Sequence, residues 1–267
     1  LAINELTGPI FATYLAKELS LKKDRFFSYR FVFTSETIGT IAYINKKERS
    51  LRKNVVAGLV LTCLGIKNYI TFKKSRNHNS LVNLSFIDLK NYLKKKNKVK
   101  VIEFSPSGSD ERQYCSLGIN LPIATFMSKK CGEYKEYHTS LDNKSIVSFK
   151  DINNNIKIFQ KLFRQIEKNF KRENYSLDLN KDINKKLFIR KKNKITKYDK
   201  IFPFIKITKC EPHLSKWKIH YETKDHKIAD TQTHATKWLV HFADGKNSID
   251  QIAKISKIKP DFIYKVS

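Results

Sequence analysis

Hydrophobic and polar residues in the first half of the chain follow two alternating patterns, one typical of helices and the other typical of strands. Apolar residues spaced three and four positions apart predict helices over residues 6–19, 37–45 and 80–96. Short apolar runs between them predict strands over residues 29–33, 55–64, 98–104 and 121–127. Strands that alternate with helices predict a three-layer α/β domain with a mostly parallel sheet, whose functional site lies at the carboxyl ends of the strands.

The pattern changes in the second half of the chain. A long amphipathic helix is predicted over residues 151–170, and polar residues rich in Lys and Asn follow it. Three short helices with tight turns are then typical of the helical half of a winged helix, with a truncated wing. The sequence therefore predicts a partial α/β domain over residues 1–172, a polar connector over 173–205 and a winged-helix-like domain over 206–267.

Two local signals support the helices of this last domain. Ser248 and Gln251 form a predicted capping box that opens a helix over residues 249–255, because Ser can accept from the backbone while Gln reaches back. Pro260 suits the first turn of a helix over residues 260–266. The hydrophobic residues expected inside this small unit are Leu239, Phe242, Ile249, Ile252, Ile255 and Phe262.

The chain carries a formal net charge of +28, and Lys accounts for most of its basic residues. Such a charge is often found in proteins that bind nucleic acid or an anionic surface. Here the basic residues are spread along the chain in short runs, which favours a solvated surface. Nucleic acid therefore stays an alternative partner that the pattern does not favour.

Cysteine usage and hydropathy indicate the compartment. The chain has 4 cysteines, widely separated and without a C-x-x-C pair, which is typical of a reducing compartment. No apolar stretch approaches the roughly 20 residues that a membrane helix needs, and no signal peptide is recognisable. We therefore expect a cytoplasmic protein without a membrane partner. Because residue 1 is Leu rather than Met, we expect the chain to be an N-terminally truncated fragment.

One loop carries candidate metal chemistry. His138 follows Tyr137, precedes Thr139, and has Asp142 four residues further on. This order has the form of the last metal-ligand loop of zinc-dependent exopeptidases, in which one imidazole nitrogen binds Zn²⁺ and the other needs a polar neighbour. An ordinary surface histidine is the alternative.

Several runs of sequence together resemble one known family. They are Glu5-Leu6-Thr7-Gly8-Pro9, Phe33-Thr34-Ser35-Glu36-Thr37-Ile38-Gly39, Gly58-Leu59-Val60-Leu61-Thr62-Cys63-Leu64-Gly65, Ser109-Asp110-Glu111-Arg112-Gln113-Tyr114-Cys115 and Glu133-Tyr134-Lys135-Glu136-Tyr137-His138-Thr139. The chain resembles the zinc aminopeptidase-like proteins of bacterial polysaccharide-biosynthesis clusters, relatives of zinc aminopeptidases and glutaminyl cyclases that carry a winged-helix tail. The resemblance implies a zinc-exopeptidase-like fold for the α/β domain and a peptide-like small substrate or ligand.

The resemblance also implies a set of metal ligands, which this chain departs from. The family supplies an upstream His and then an Asp, and Asn4 stands at the position of that Asp. Glu36 and His138 are the other implied ligands, expected to face each other across one cleft near Asn4. Glu36 is either a ligand or the general base. Because Asn brings no negative charge, the chain is expected to hold one zinc ion weakly or not at all.

Three further residues are implied near the substrate. Asp110 and Arg112 would lie beside the pocket, where Arg112 either forks onto a substrate carboxylate or pairs with an Asp for structural reasons. Tyr137 either bonds a tetrahedral intermediate or packs as an ordinary loop tyrosine.

Three functions follow from these observations. The first is a zinc-dependent aminopeptidase or amidohydrolase that acts on a peptide or amino-sugar-like substrate. The second is a degenerate relative that keeps the fold and binds such a ligand with little activity. The third is a nucleic-acid-binding regulator that uses the winged helix. Asn4 and the absent upstream His favour the second.

Overall fold

A computed structural model of the chain describes residues 1–172, 196–205, 209–213 and 226–267, with the backbone alone at 226–230. The predicted connector lies outside the described residues as far as residue 195. Contacts divide the chain into two units, which are treated separately below. Unit 1 consists of Leu1–Phe104, Ser109–Glu111 and Leu121–Ile183, and unit 2 consists of Ser105–Gly108, Arg112–Asn120 and Asn184–Ser267.

Unit 1 is built on a four-stranded sheet. Its strands are β1 (Gly58–Leu61), β2 (Tyr69–Lys73), β3 (Lys98–Ile102) and β4 (Ile123–Met127), in the order β1-β4-β2-β3. β1 pairs with β4 in parallel and β2 pairs with β3 in parallel, but β2 and β4 are antiparallel. The sheet is therefore mixed, with two parallel pairs and one antiparallel pair.

Helices connect and cover these strands. In chain order they are α1 (Thr7–Ser20), α2 (Ile38–Asn54), α3 (Leu81–Lys94), the one-turn α4 (Glu111–Tyr114) and α5 (Phe149–Arg172). A short π-helix, Ala2–Leu6, leads directly into α1. The predicted helices over residues 6–19, 80–96 and 151–170 are confirmed to within a few residues, and the helix predicted over 37–45 continues to Asn54.

One face of the sheet carries the main hydrophobic core. Phe72 on β2 stacks on Phe86 of α3 at 4.0 Å between ring centroids, and Phe126 on β4 packs edge-on against Phe159 of α5 at 4.7 Å. Phe11 of α1 meets the same Phe159 ring at 4.8 Å. Three helices thus share one side of the sheet, and burying their aromatic and aliphatic side chains is the main stabilisation of the unit.

The opposite face of the sheet is buried but polar. Thr71, Lys73 and Thr125 are each about 2% exposed or less, and Thr125 lies directly opposite Lys73 across the β2–β4 pair. Because side chains alternate along a strand, these residues must point away from Phe72 and Phe126. A buried polar face needs partners for its hydrogen-bonding groups, and this is where the chemistry of the unit concentrates.

Two predictions about strands were wrong. Residues 29–33 form no strand; Tyr29 and Phe31 instead pack against the apolar core. The pattern also did not predict β2, although β2 is a central strand in which Ile70 and Phe72 are fully buried. Aromatic residues at alternate positions are typical of a strand, but the same pattern also occurs in a coil segment whose side chains pack into a core.

The described part of unit 2 contains most of α4, a 3-10 helix over Lys197–Lys200, and the helices α6 (His226–Phe242), α7 (Ile249–Ser256) and α8 (Pro260–Val266). The capping box of Ser248 and Gln251 is present at the start of α7, as predicted. Of the hydrophobic residues predicted to lie inside, Leu239, Phe242, Ile249 and Ile252 are buried, whereas Ile255 and Phe262 are half-buried.

Within the described residues, no helix combines the length and hydropathy that crossing a bilayer would require.

Candidate functional site

Asp142 ties the start of the chain to the loop that contains His138. Its carboxylate accepts the backbone N–H of Ile3 at 2.7 Å and that of Asn4 at 3.1 Å, while its own carbonyl accepts the N–H of Ala2 at 2.8 Å. The Tyr134 hydroxyl donates to the same carboxylate at 3.4 Å. Asp142 is fully buried, so these donors replace the water that its charge loses. This contact brings the Asn4 segment and the His138 loop together.

The His138 loop is held by a row of stacked rings. The imidazole of His138 lies 3.9 Å from the Tyr137 ring at an interplanar angle of 15°, and Tyr137 meets Tyr134 edge-on at 5.5 Å. His138 adopts a φ of +58°, a left-handed conformation that is uncommon for a residue with a side chain. The imidazole itself is exposed, so it is available to solvent and to a ligand.

Two cysteines lie beside this row. The Cys63 and Cys131 sulfur atoms are 4.0 Å apart. The hydroxyls of Thr62 and Tyr134 donate to Cys63 at 3.6 and 3.8 Å. The hydrogen bond with Cys63, together with one from Tyr137, holds the pKa of the Cys131 thiol below its usual value, whereas the Cys131 hydrogen bond and burial raise the pKa of Cys63.

Both ends of the Asn4 side-chain amide form hydrogen bonds with neighbouring residues. Its Nδ2 donates to a carboxylate oxygen of Glu5, and its Oδ1 accepts from the Cys63 thiol at 3.5 Å. The side chain is half-buried. At the position where the resembled family supplies a carboxylate, this chain therefore has a neutral group in a local hydrogen-bond network.

Glu36 lies in the exposed segment just before α2. Its negative charge adds to the raised pKa of Tyr137, after the larger effects of burial and the two cysteines. Asp110 has a structural task in this region. Its carboxylate accepts the N–H of Thr37 at 2.8 Å and the hydroxyl of Thr40 at 2.7 Å, so it caps the start of α2 and fixes the segment that carries Glu36.

Arg112 belongs to unit 2 and is bound there. Its Nε donates to a carboxylate oxygen of Glu211 at 2.8 Å, and the Gln113 amide donates to the same oxygen at 3.2 Å. Arg112 and Glu211 thus form an ion pair within unit 2.

Lys73 and Glu111 form a buried ion pair on the polar face of the sheet. Their Nζ and Oε1 atoms are 2.5 Å apart, and the side chains are 3% and 0% exposed. Glu111 Oε2 and Thr125 Oγ1 are also buried, without a hydrogen-bond partner among the residues that the structure describes. The Glu111 charge is one of the effects that act on the Cys131 thiol, opposing the hydrogen bonds that favour the thiolate.

The donors present here do not suit a zinc ion. Over the described ranges, no group of three or more His, Cys, Asp or Glu side chains converges in a way that could hold a metal. A catalytic zinc site needs three protein ligands around an open position. The Asn4 side chain already forms hydrogen bonds with Glu5 and Cys63.

Several residues of this region escaped sequence reasoning. Cys63 and Cys131 are 68 positions apart and gave no spacing signal. Lys73 belongs to the strand that the pattern missed, so its pairing with Glu111 was not foreseeable. Asp142 was noticed as a polar neighbour of His138, but its main contacts are with the backbone of Ile3 and Asn4.

The sequence of the chain also matches known proteins. A family model described as a domain of unknown function, DUF4910, matches residues 1–169. A Clostridium acetobutylicum protein called "Putative polysaccharide biosynthesis protein with aminopeptidase-like domain" is 35% identical over 166 residues, which are 62% of this chain and 37% of the relative.

Two solved structures are similar as well. A crystal structure of a "putative peptidase" from Clostridium acetobutylicum has a TM-score of 0.59 and 27% identity, over 100% of this chain and 51% of that one. An aminopeptidase from Aneurinibacillus sp. strain AM-1 has a TM-score of 0.46 and 14% identity over 61% of this chain and 39% of its own, which is too distant to support an argument. The chain thus spans about half or less of the length of these relatives.

Proposed function

Because the chain belongs to the DUF4910 family, we propose that it is a degenerate relative of the zinc-dependent exopeptidases, with weak zinc binding and little hydrolytic activity. By its relatives it is an aminopeptidase-like protein. We further propose that the chain binds a peptide-like or amino-sugar molecule. The substituted ligand position would explain its low activity.

The observation that carries the proposal is the position of Asn4. Asp142 fixes the Asn4 backbone against the loop of His138, as a ligand position would require. The side chain at that position is an amide, which gives Zn²⁺ neither a negative charge nor a strong bond. Glu36 and His138 would then be the remaining ligands, and two are fewer than a catalytic zinc ion needs.

A zinc ion, where bound in such a site, would polarise a carbonyl group and lower the pKa of a bound water. In this chain the residues themselves do less. The exposed imidazole of His138 and the carboxylate of Glu36 can bind polar groups of a ligand, and Tyr137 supports the imidazole from beneath. Asp110 and Asp142 position these segments through backbone and hydroxyl contacts.

The test compares the unaltered chain with Asn4→Asp. We expect less than stoichiometric zinc in the unaltered chain after dialysis, and no turnover of aminoacyl anilides. Asn4→Asp should bind zinc about tenfold more tightly, equivalent to about 1.4 kcal/mol, because a carboxylate adds charge at the ligand position. Near-stoichiometric zinc with chelator-sensitive turnover in the unaltered chain would show that the site is intact and the proposal wrong.

A matched control separates the ligand position from charge alone. Asn153→Asp makes the same change at an exposed position in the first turns of α5, where an acidic residue is well tolerated. It should leave zinc binding unchanged. An equal gain in both variants would mean that net charge, rather than the position of Asn4, governs the metal.

We extend the proposal to the rest of the chain in two respects. Helices α6, α7 and α8 of unit 2 would form the helical half of a winged helix, as an accessory domain. The four cysteines form no disulfide, which supports a reducing, cytoplasmic setting.

A further inference from the structure

We propose that Cys63 and Cys131 form a reversible disulfide, and that this pair is a thiol–disulfide exchange site on unit 1. The two sulfur atoms are 4.0 Å apart across 68 positions of sequence, and both belong to loops beyond strand ends. A disulfide needs the sulfurs at about 2.05 Å, so each side chain has to move by about 1 Å.

The two thiols differ in access, as an attacking and a resolving cysteine must. Cys131 is half-exposed and precedes Gly132, around which a Cβ would meet no atom within 4 Å. Cys63 is fully buried directly behind it. A small disulfide can therefore reach Cys131 from solvent but cannot reach Cys63.

The surroundings favour a nucleophile at Cys131. Hydrogen bonds from Cys63 and from the Tyr137 hydroxyl stabilise its thiolate, which lowers the pKa of that thiol. A thiolate rather than a thiol attacks a disulfide.

The exchange takes place in two balanced steps. The Cys131 thiolate attacks one sulfur of a small-molecule disulfide, which forms a mixed disulfide and releases one thiolate of the reagent. The Cys63 thiol then attacks the Cys131 sulfur, which releases the second thiolate of the reagent, and the Cys63 proton passes to that thiolate. Two protein thiols are oxidised to one disulfide, and one reagent disulfide is reduced to two thiols.

The sequence makes the linkage easy to locate. Trypsin separates all four cysteines, because Cys63 falls in the peptide of residues 54–67, Cys131 in 131–135, Cys115 in 113–129 and Cys210 in 210–216. The unaltered, folded chain is incubated with oxidised glutathione, the remaining thiols are alkylated, and the peptides are identified by mass spectrometry before and after reduction. We expect a linked species of peptides 54–67 and 131–135 that disappears with dithiothreitol.

Variants keep the proposal falsifiable. A chain with Cys115→Ser and Cys210→Ser retains only the proposed pair and should still lose both thiols. Cys63→Ser should instead accumulate glutathione on Cys131, because the resolving thiol is absent, whereas Cys131→Ser should leave Cys63 unmodified. If Cys131 stays as a mixed disulfide in the unaltered chain, or if Cys63 links to another cysteine, the assignment is wrong.

Discussion

The two faces of the sheet in unit 1 are both buried, but one is hydrophobic and the other contains polar and charged side chains. On one face, Phe72 and Phe126 pack among other hydrophobic side chains, and many small attractions add up without specific partners. On the other face, Lys73 and Glu111 are as deeply buried, and they form an ion pair.

The difference teaches where function is to be sought. A buried charge is costly and is tolerated only with a partner, so the pair of Lys73 and Glu111 is not the most economical way to stabilise this face. The nearby loops contain the thiols, the tyrosines and the clamp of Asp142. The apolar face stabilises the unit, whereas the polar face and these loops contain its buried charges and its thiols.

The largest effect is expected on the apolar face. Phe126→Ala should lower the free energy of unfolding by about 4 kcal/mol, because it removes a fully buried ring that contacts Phe86 and Phe159. Urea unfolding measures the change. Phe149→Ala, at a side chain that is 64% exposed, is the control and should cost less than about 0.5 kcal/mol. Equal losses in the two variants would contradict this view of the core.

On the polar face, the effect of one substitution should depend on the other residue. Lys73→Met should cost about 3 kcal/mol, since it leaves the Glu111 carboxylate buried without its counter-charge. The double variant Lys73→Met, Glu111→Leu should recover most of that loss, because no charge remains to be buried. Urea unfolding of the single and double variants gives the coupling free energy. If the losses of unfolding free energy were additive, Lys73 and Glu111 would contribute independently to stability.

A smaller effect is expected from the clamp at Asp142. Asp142→Asn should cost about 2 kcal/mol, because the amide cannot accept from Ile3, Asn4 and Tyr134 as the carboxylate does. Hydrogen exchange should speed up at the amides of Ile3 and Asn4. Asp110→Asn, which weakens the cap of α2, should instead leave the exchange of those two amides unchanged. Unaltered protection in Asp142→Asn would show that the clamp does not hold this segment.

The smallest effect concerns an exposed ion pair. His78 and Lys74 lower the pKa of Glu103 to about 2, His78 being the larger cause, against burial that raises it. A lowered folded-state pKa stabilises the fold above the ordinary value near 4.5, and this contribution is lost as the pH falls from about 5 to 2. Since the Glu103 side chain is 61% exposed, solvent should limit the contribution to less than about 1 kcal/mol.

Glu103→Gln provides the measurement for this last effect. The unaltered chain should be slightly more stable than the variant at pH 6, and the difference should shrink towards pH 2. A difference that stays constant over this range would assign it to packing and not to charge. Compared with Lys73→Met, the result also shows how strongly burial increases the value of an ion pair.

Much of the fold could be predicted where the local sequence of an element determined its structure. α5 presents a long apolar stripe, and α7 begins with a capping box, so both are recognisable without knowledge of their neighbours. β2 was missed and residues 29–33 were wrongly predicted as a strand, because pairing depends on distant partners that a local pattern does not contain. The antiparallel β2–β4 pair was unforeseeable for the same reason.

The candidate site could be predicted only in part. The His138 loop and Glu36 stood out because their neighbours form unusual runs. Nothing local indicated that Cys63 and Cys131 would meet, since their contact arises from the order of the strands. The partner of Arg112 was likewise decided by tertiary structure, in which Glu211 is 99 positions away.

The strand order also has a consequence for synthesis on the ribosome. β4 is the last strand of the sheet to be translated, yet it joins β1 to β2 and β3. β2 and β3 can pair as soon as residue 102 has emerged, but β1 has no neighbour in the sheet until residues 123–127 follow. During that interval the nascent chain exposes the apolar strand Gly58–Leu61 with free backbone groups, which makes it a substrate for chaperones and a starting point for aggregation whenever translation pauses between these strands.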